Sequence, residues 1–102
     1  MKVFVLIKER FSYYDNGTDF EIKIFKDEQS AINYLQIEKE ELLLEAMKEI
    51  GANTLEELES YAEEGEIVYT FENEECNYYI DIEDWGYDSL RIREYDVMEF
   101  KI

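Results

Sequence analysis

The pattern of apolar and polar positions predicts a β-hairpin at the start of the chain. Val3, Val5 and Ile7 alternate with Phe4, Leu6 and Lys8, so this segment is apolar on both faces. That pattern is typical of a strand near the middle of a sheet with another layer packed on one side. Asp15-Asn16-Gly17 supplies turn chemistry. Residues 20–25 then alternate as a second strand, with Phe20, Ile22 and Ile24 on one face.

A helix is predicted to begin at about Asp27. The side chain of Asp27 can cap free backbone N–H groups, and Glu28 suits the positive end of the helix dipole. The following run is either one long helix to Ile50 or two helices broken near Gln36–Lys39, and Gly51 is suited to the C′ position. The apolar stripe of this segment consists of Ile32, Leu35, Leu42, Leu43, Ala46, Met47 and Ile50.

A second, shorter helix is indicated by Thr54-Leu55-Glu56-Glu57, which has the spacing of a capping box. Gly65 is expected to end this helix. Its inward-facing residues are predicted to be Leu55, Leu58, Tyr61 and Ala62.

Three further strands are predicted after the second helix. Residues 66–72 and 78–83 alternate, with a turn at 73–75 and a loop at 84–88 around Trp85 and Gly86. The last strand should run from Leu90 to Tyr95. It is expected to continue to Phe100 through a bulge, because the apolar phase changes along this segment.

The predicted element order is therefore β-β-α-α-β-β-β within a single acidic domain, residues 1–102. Strands grouped at both ends of a chain around central helices indicate the α+β class, with a mostly antiparallel sheet and the helices packed on one face. The edge strands of such an open sheet could pair two copies of the chain, so both a monomer and a homodimer are compatible with this prediction.

Negative charge is concentrated in one part of the chain. The formal net charge is −17, and residues 49–90 hold fourteen acidic residues and no Lys or Arg. The apolar content of 46% and the aromatic content of 16% indicate a folded chain. Phosphates would repel this charge, so we expect no direct binding to nucleic acid or to an anionic membrane.

The spacing of the carboxylates suggests a shaped surface. Glu56, Glu59 and Glu63 follow one another at intervals of three and four residues on a helix, so that successive members are about 5–6 Å apart. Asp81 and Glu83 are two apart on a strand, at about 6.6 Å, as Glu72 and Glu74 would be if their strand extends. These separations resemble those between phosphates along a nucleic-acid strand. The predicted partner-binding residues are Glu56, Glu59, Glu63, Glu66, Glu72, Glu74, Glu75, Asp81, Glu83, Asp84 and Asp88, with Trp85 as an apolar anchor.

A charged face selected only for solubility is the competing interpretation, although such faces normally intersperse the two signs. Trp85 and its tyrosine neighbours Tyr78, Tyr79 and Tyr87 could equally close one end of the sheet as core.

Little in the sequence points to catalysis, a cofactor or a metal. The chain has no histidine, the single Cys76 has no base partner, and four scattered glycines make no phosphate-binding loop. Residues 81–86 faintly resemble a calcium loop, but Trp85 and Ile92 stand where oxygen ligands belong. We therefore predict a non-enzymatic protein without cofactor or metal.

A cytoplasmic location is expected from the N-terminus and from the hydropathy of the chain. The first apolar run is interrupted at Lys8, and no segment approaches the roughly 20 apolar residues that span a bilayer.

The small size, the charge of −17 and the stretch without basic residues from Glu49 to Leu90 resemble phage and mobile-element proteins that inhibit bacterial nucleases by acidic mimicry of nucleic acid. This group includes anti-CRISPR and anti-restriction proteins. The resemblance implies a viral protein that acts in the bacterial host cytoplasm. Its partner would be a basic, nucleic-acid-binding protein such as a CRISPR effector or a restriction nuclease. Two alternatives are an immunity protein or antitoxin against a basic nuclease toxin, and a regulatory module that binds through its aromatic surface.

Overall fold

The computed structural model describes residues 1–14 and 17–97. Its elements follow the predicted order, so the α+β class is confirmed. They are β1 (Lys2–Ser12), β2 (Gly17–Phe25), α1 (Glu28–Ile50), α2 (Leu55–Glu64), β3 (Val68–Asn73), β4 (Asn77–Ile82) and β5 (Gly86–Asp96).

The strands form one antiparallel sheet in the order β2-β1-β5-β4-β3. The pairing of β1 with β5 runs without a break from Lys2 opposite Asp96 to Ser12 opposite Gly86. The predicted bulge is therefore wrong as far as Asp96, and β5 begins four residues earlier than predicted. Residues 98–102, and with them Phe100, lie outside the described residues, as do Asp15 and Asn16 of the predicted turn.

Both helices begin and end at the predicted caps. Asp27 accepts a hydrogen bond from the backbone N–H of Ser30 at 2.8 Å, and Gly51 ends α1 in the left-handed conformation. α1 is a single helix from Glu28 to Ile50, without a break at 36–39.

The core lies between the helices and one face of the sheet. Both helices and four of the strands contribute to it. Its buried members are Leu6, Leu35, Leu42, Ala46, Ala52, Leu58, Val68, Tyr78, Ile80, Ile82 and Leu90.

The opposite side of the sheet, called the open face below, has no helix over it within the described residues. Strand alternation places Phe20, Ile22 and Ile24 of β2 on this face, because their neighbours Glu21 and Lys23 lie on the side of α1. The three apolar side chains are 61%, 61% and 69% exposed, respectively.

Candidate protein-interaction surface

α2 is fixed at both ends by its own sequence. Thr54 Oγ1 accepts a hydrogen bond from the N–H of Glu57 at 3.2 Å, and Glu57 Oε2 accepts one from the N–H of Asn53 at 2.9 Å. Gly65 closes the helix in the left-handed conformation with its N–H bonded to the carbonyl of Tyr61. This reciprocal cap confirms the predicted start of α2.

The inward side of α2 is set by Leu58, which is fully buried and belongs to the core. Glu56, Glu59 and Glu63 are all exposed, as the helical spacing predicted. The last turn of α2 contains no basic residue to balance the negative end of its dipole. Acidic residues there interact unfavourably with the dipole, so the helix dipole does not explain Glu63 and Glu64 at this end.

A shallow groove separates α2 from β3. Glu59, Ala62 and Glu63 line one side of it, and Tyr69, Thr70 and Phe71 line the other, around a volume of about 330 Å³. Two carboxylates thus border a groove that aromatic rings also line. This arrangement suits a long basic side chain, whose apolar stem can lie on the rings while its charged end reaches the carboxylates.

Three more carboxylates lie at the end of the sheet where β3 begins and β4 ends. The N–H of Glu83 donates to the carbonyl of Ile67 at 2.8 Å, which brings Glu83 and Asp84 close to the segment containing Glu66. Desolvation raises the pKa of the half-exposed Tyr69, and the nearby charges of Glu83 and Asp84 raise it further. Tyr69 therefore stays a neutral hydroxyl among these carboxylates at neutral pH.

Glu72 and Asp81 lie on the open face, around Tyr79. Glu72 is directly opposite Tyr79 in the pairing of β3 with β4, and Asp81 is two residues from Tyr79 along β4. Asp81 is only half-exposed, and burial raises the pKa of its carboxyl group. It therefore contributes less to the acidic surface than the sequence suggested.

Two pairs of carboxylates were expected at a two-residue spacing along a strand, Asp81 with Glu83 and Glu72 with Glu74, and neither pair lies within one strand. β4 ends at Ile82 and β3 ends at Asn73, so Glu83 and Glu74 both lie beyond their strands. Glu74 and Glu75 instead form the connection between β3 and β4, where the N–H of Glu74 donates to the carbonyl of Asn77 at 2.7 Å. Both side chains are exposed.

Nine of the predicted carboxylates are exposed and lie on α2, on β3, or in the segments that flank β3 and follow β4. We call this set the acidic edge: Glu56, Glu59, Glu63, Glu66, Glu72, Glu74, Glu75, Glu83 and Asp84. Among residues 1–14 and 17–97, the ion pairs involve other acidic residues: Glu21, Glu38, Glu45, Asp88 and Glu94. The acidic edge therefore keeps its negative charge without an internal counter-ion in the described structure.

The basic residues of β1 are paired with acidic residues that do not belong to the acidic edge. Lys8 Nζ donates to Glu38 of α1 at 2.8 Å, and Arg10 bridges Glu45 of α1 and Asp88 of β5. The N-terminal hairpin thus balances the acids of α1 and β5.

Asp88 must be removed from the predicted surface. It is 2% exposed, and its Oδ1 accepts a hydrogen bond from Arg10 Nε at 2.8 Å. Burial raises the pKa of Asp88, while the bond to Arg10 acts in the opposite direction. The prediction placed residue 88 in a loop, whereas its phase with Leu90 and Ile92 marks it as part of a strand facing the helices.

Trp85 is half-buried and packs against the core, so it is mainly structural and not a free anchor. Tyr78 is fully buried, also as core. The other two tyrosines stack in a row with Phe11. The ring centroids are 5.7 Å apart between Tyr79 and Tyr87, and 5.5 Å apart between Tyr87 and Phe11. This aromatic row lies on the open face.

No protein-family model, curated protein or solved structure matches the chain. Within the described residues, no group of three or more carboxylates or thiols is arranged to hold a metal ion. Neither α1 nor α2 combines the length and the apolarity that crossing a membrane requires.

Proposed function

We propose that this protein inhibits a nucleic-acid-binding protein, such as a CRISPR effector or a restriction nuclease, by placing carboxylates where the phosphates of nucleic acid would bind. The observation that carries the proposal is the acidic edge. Its nine exposed carboxylates have no counter-ion among the described residues, while the basic side chains of β1 are engaged by α1 and β5.

The position of the charge favours a use in binding over a role in solubility alone. Acids at the negative end of a helix dipole cost stability that the same charges elsewhere on the surface would not, yet α2 ends with Glu63 and Glu64. Leaving so many like charges without partners also opposes folding through mutual repulsion. A basic partner would relieve both costs on binding.

The groove between α2 and β3 gives the proposal a specific contact. An arginine of the partner can lie along Tyr69 and Phe71 and direct its guanidinium to Glu59 and Glu63. Arginine and lysine are the residues that proteins use to hold phosphates. A partner that grips nucleic acid therefore already carries the side chains that this groove accommodates.

The test is inhibition of purified basic nucleases from three classes: a CRISPR effector, a restriction endonuclease and a nuclease toxin. We expect tight binding to one class, loss of its nucleic-acid cleavage, and an affinity that falls steeply as salt is raised. Inhibition of the toxin alone would identify an immunity protein and overturn the proposed inhibitor of defence nucleases.

Two triple variants with the same charge change sharpen this test. Glu59→Gln/Glu63→Gln/Glu83→Gln removes three carboxylates from the acidic edge. Its matched control is Glu40→Gln/Glu41→Gln/Asp96→Asn, which removes three exposed carboxylates elsewhere. We expect at least a tenfold loss of affinity and a weaker salt dependence for the first variant only. Equal losses in both would mean that bulk charge acts, and not this surface.

A further inference from the structure

The two edges of the sheet differ in how they are protected against pairing with another strand. At β3, the register with β4 shifts between Val68 and Thr70, and Glu66 and Glu74 flank the strand. A bulge is one usual protection of an exposed edge, and β2 carries charged side chains but no bulge. At β2, the register with β1 is continuous over nine residues from Gly17 to Phe25. Within the described residues, β2 pairs only with β1.

β2 also carries two different sets of side chains. On the open face are Phe20, Ile22 and Ile24, which together form an exposed apolar row. On the side of α1 are Glu21 and Lys23, of opposite charge and placed symmetrically about Ile22. From either end, the segment from Phe20 to Ile24 therefore shows the same alternation of apolar and charged residues, with Glu21 and Lys23 exchanging places.

We propose that β2 pairs in antiparallel orientation with β2 of a second copy of this chain, with the two-fold axis at Ile22. In this register Ile22 lies opposite Ile22, and Phe20 lies opposite Ile24 of the second copy. Glu21 lies opposite Lys23 of the second copy, and the symmetry makes this ion pair twice. Directly opposed side chains in an antiparallel pair are about 4.5–5.5 Å apart at Cβ, close enough for each of these contacts.

The charges and the apolar row together select this register over its neighbours. Moving the axis to residue 21 places Glu21 against Glu21 and Ile24 against Thr18, although Asp19 then lies opposite Lys23. Moving it to residue 23 places Lys23 against Lys23 and Glu21 against Phe25. Like charges directly opposite each other destabilise a strand pair. Placing the axis between two residues changes the register by one residue. Side chains alternate between faces, so the apolar row of one copy would then lie opposite Glu21 and Lys23 of the other.

The overall charge of the molecule permits the pairing at this edge. Residues 1–26 contain five basic and four acidic residues, so the hairpin of β1 and β2 is close to neutral. The acidic edge lies at the opposite side of the sheet, beyond β1, β5 and β4. The dimer would be a ten-stranded sheet with its two acidic edges at the outer ends, where their repulsion is weakest.

The first test is sedimentation equilibrium of the full chain over a range of concentrations. We expect a monomer–dimer equilibrium. Lys23→Glu places Glu against Glu twice and should weaken the dimer by at least about tenfold. The charge exchange Glu21→Lys/Lys23→Glu restores two opposite pairs and should recover most of the loss.

The second test reads the register by disulfide formation in a Cys76→Ser background. Ile22→Cys places two thiols on the axis, within the Cα separation of about 4.4–6.8 Å that a disulfide requires. We expect rapid covalent dimers from Ile22→Cys and few from Glu21→Cys or Lys23→Cys. Circular dichroism verifies that each variant is folded, which matters because Lys23 also donates to Tyr34.

A chain that stays monomeric at all concentrations overturns the proposal. So does a dimer that Lys23→Glu leaves unchanged, or one cross-linked best at residue 21 or 23. None of these measurements depends on the proposed inhibition of a nuclease, so each proposal stands or fails on its own.

Discussion

Arg10 and Asp88, which are 78 residues apart in the sequence, join β1 to β5. They are directly opposite each other in the pairing of β1 with β5, and Arg10 Nε donates to Asp88 Oδ1 at 2.8 Å. The second branch of the guanidinium reaches Glu45 of α1 at 2.6 Å. One side chain therefore connects two neighbouring strands and the helix that covers them.

Removing Arg10 should be costly because Asp88 would remain buried without its partner. We expect Arg10→Met to lower the free energy of unfolding by about 3 kcal/mol, measured by urea denaturation at pH 7. The double variant Arg10→Met/Asp88→Leu should recover much of this loss, since it removes the buried carboxylate together with its partly exposed partner.

The matched control is Lys2→Met, which removes the exposed pair of Lys2 with Glu94, at 3.4 Å. Exposed ion pairs contribute about 0–1 kcal/mol, so this variant should unfold almost like the parent protein. If Arg10→Met and Lys2→Met lower the free energy of unfolding equally, burial does not govern the strength of the Arg10–Asp88 pair.

The stability of the protein should depend on pH through Asp88. Burial raises the pKa of Asp88 above its ordinary value of 3.8, so the folded state holds its proton more tightly than the unfolded state. By linkage, the contribution of Asp88 to the free energy of unfolding decreases as pH rises from about 3.8 through the raised pKa. Asp81, whose pKa burial also raises, acts with the same sign.

The measurement is the free energy of unfolding between pH 3.5 and 7 for the parent protein and for Asp88→Asn. Asp27 and Glu38, whose pKa values hydrogen bonds lower, contribute with the opposite sign in both proteins. We therefore expect the free energy of unfolding of Asp88→Asn, relative to that of the parent, to rise across this pH range. Glu40→Gln removes one charge from an exposed position and serves as the control for general repulsion. A pH profile of Asp88→Asn identical to that of the parent would contradict the assignment.

Gly86 should not tolerate any side chain. Its φ is +140°, and a Cβ atom there would lie 1.8 Å from the carbonyl oxygen of Phe11 on the neighbouring strand. We expect Gly86→Ala to cost about 3 kcal/mol or more, because backbone strain adds to a contact that only main-chain movement can relieve. Gly65→Ala is the control, since its φ of +69° is also left-handed but its Cβ would meet open space. That variant should cost only about 1 kcal/mol, measured by thermal unfolding.

The elements could be predicted because their signals are local. Caps at Asp27 and Thr54, glycines after both helices and the apolar pattern of the strands each depend on a few neighbouring residues. The start of β5 could not be predicted in this way. Gly86, Asp88 and Ser89 are unlike strand residues, and they are held in the sheet by pairing with β1.

The acidic set could be predicted in composition but not in arrangement. Counting charges identifies residues 49–90, yet it cannot show that Asp88 is neutralised by Arg10 from a distant strand. Nor could it show that the apolar row of β2 lies on the open face, since alternation alone does not say which face the helices cover. The groove formed by Tyr69 and Phe71 beside Glu59 depends on the packing of α2 against β3, which no local pattern encodes.

The end of α2 offers a way to separate stability from binding. Glu63 and Glu64 both lie in the last turn, where a positive charge interacts favourably with the helix dipole by about 0.3–1 kcal/mol. Glu63→Lys and Glu64→Lys should therefore each raise the melting temperature. Of these two residues, Glu63 lines the groove with Tyr69 and Glu64 does not, so Glu63→Lys should weaken binding to the proposed partner far more than Glu64→Lys does. Calorimetric unfolding and binding titrations on the same samples would measure both effects. Stabilisation without loss of binding in Glu63→Lys would show that this carboxylate serves neither the fold nor the proposed partner.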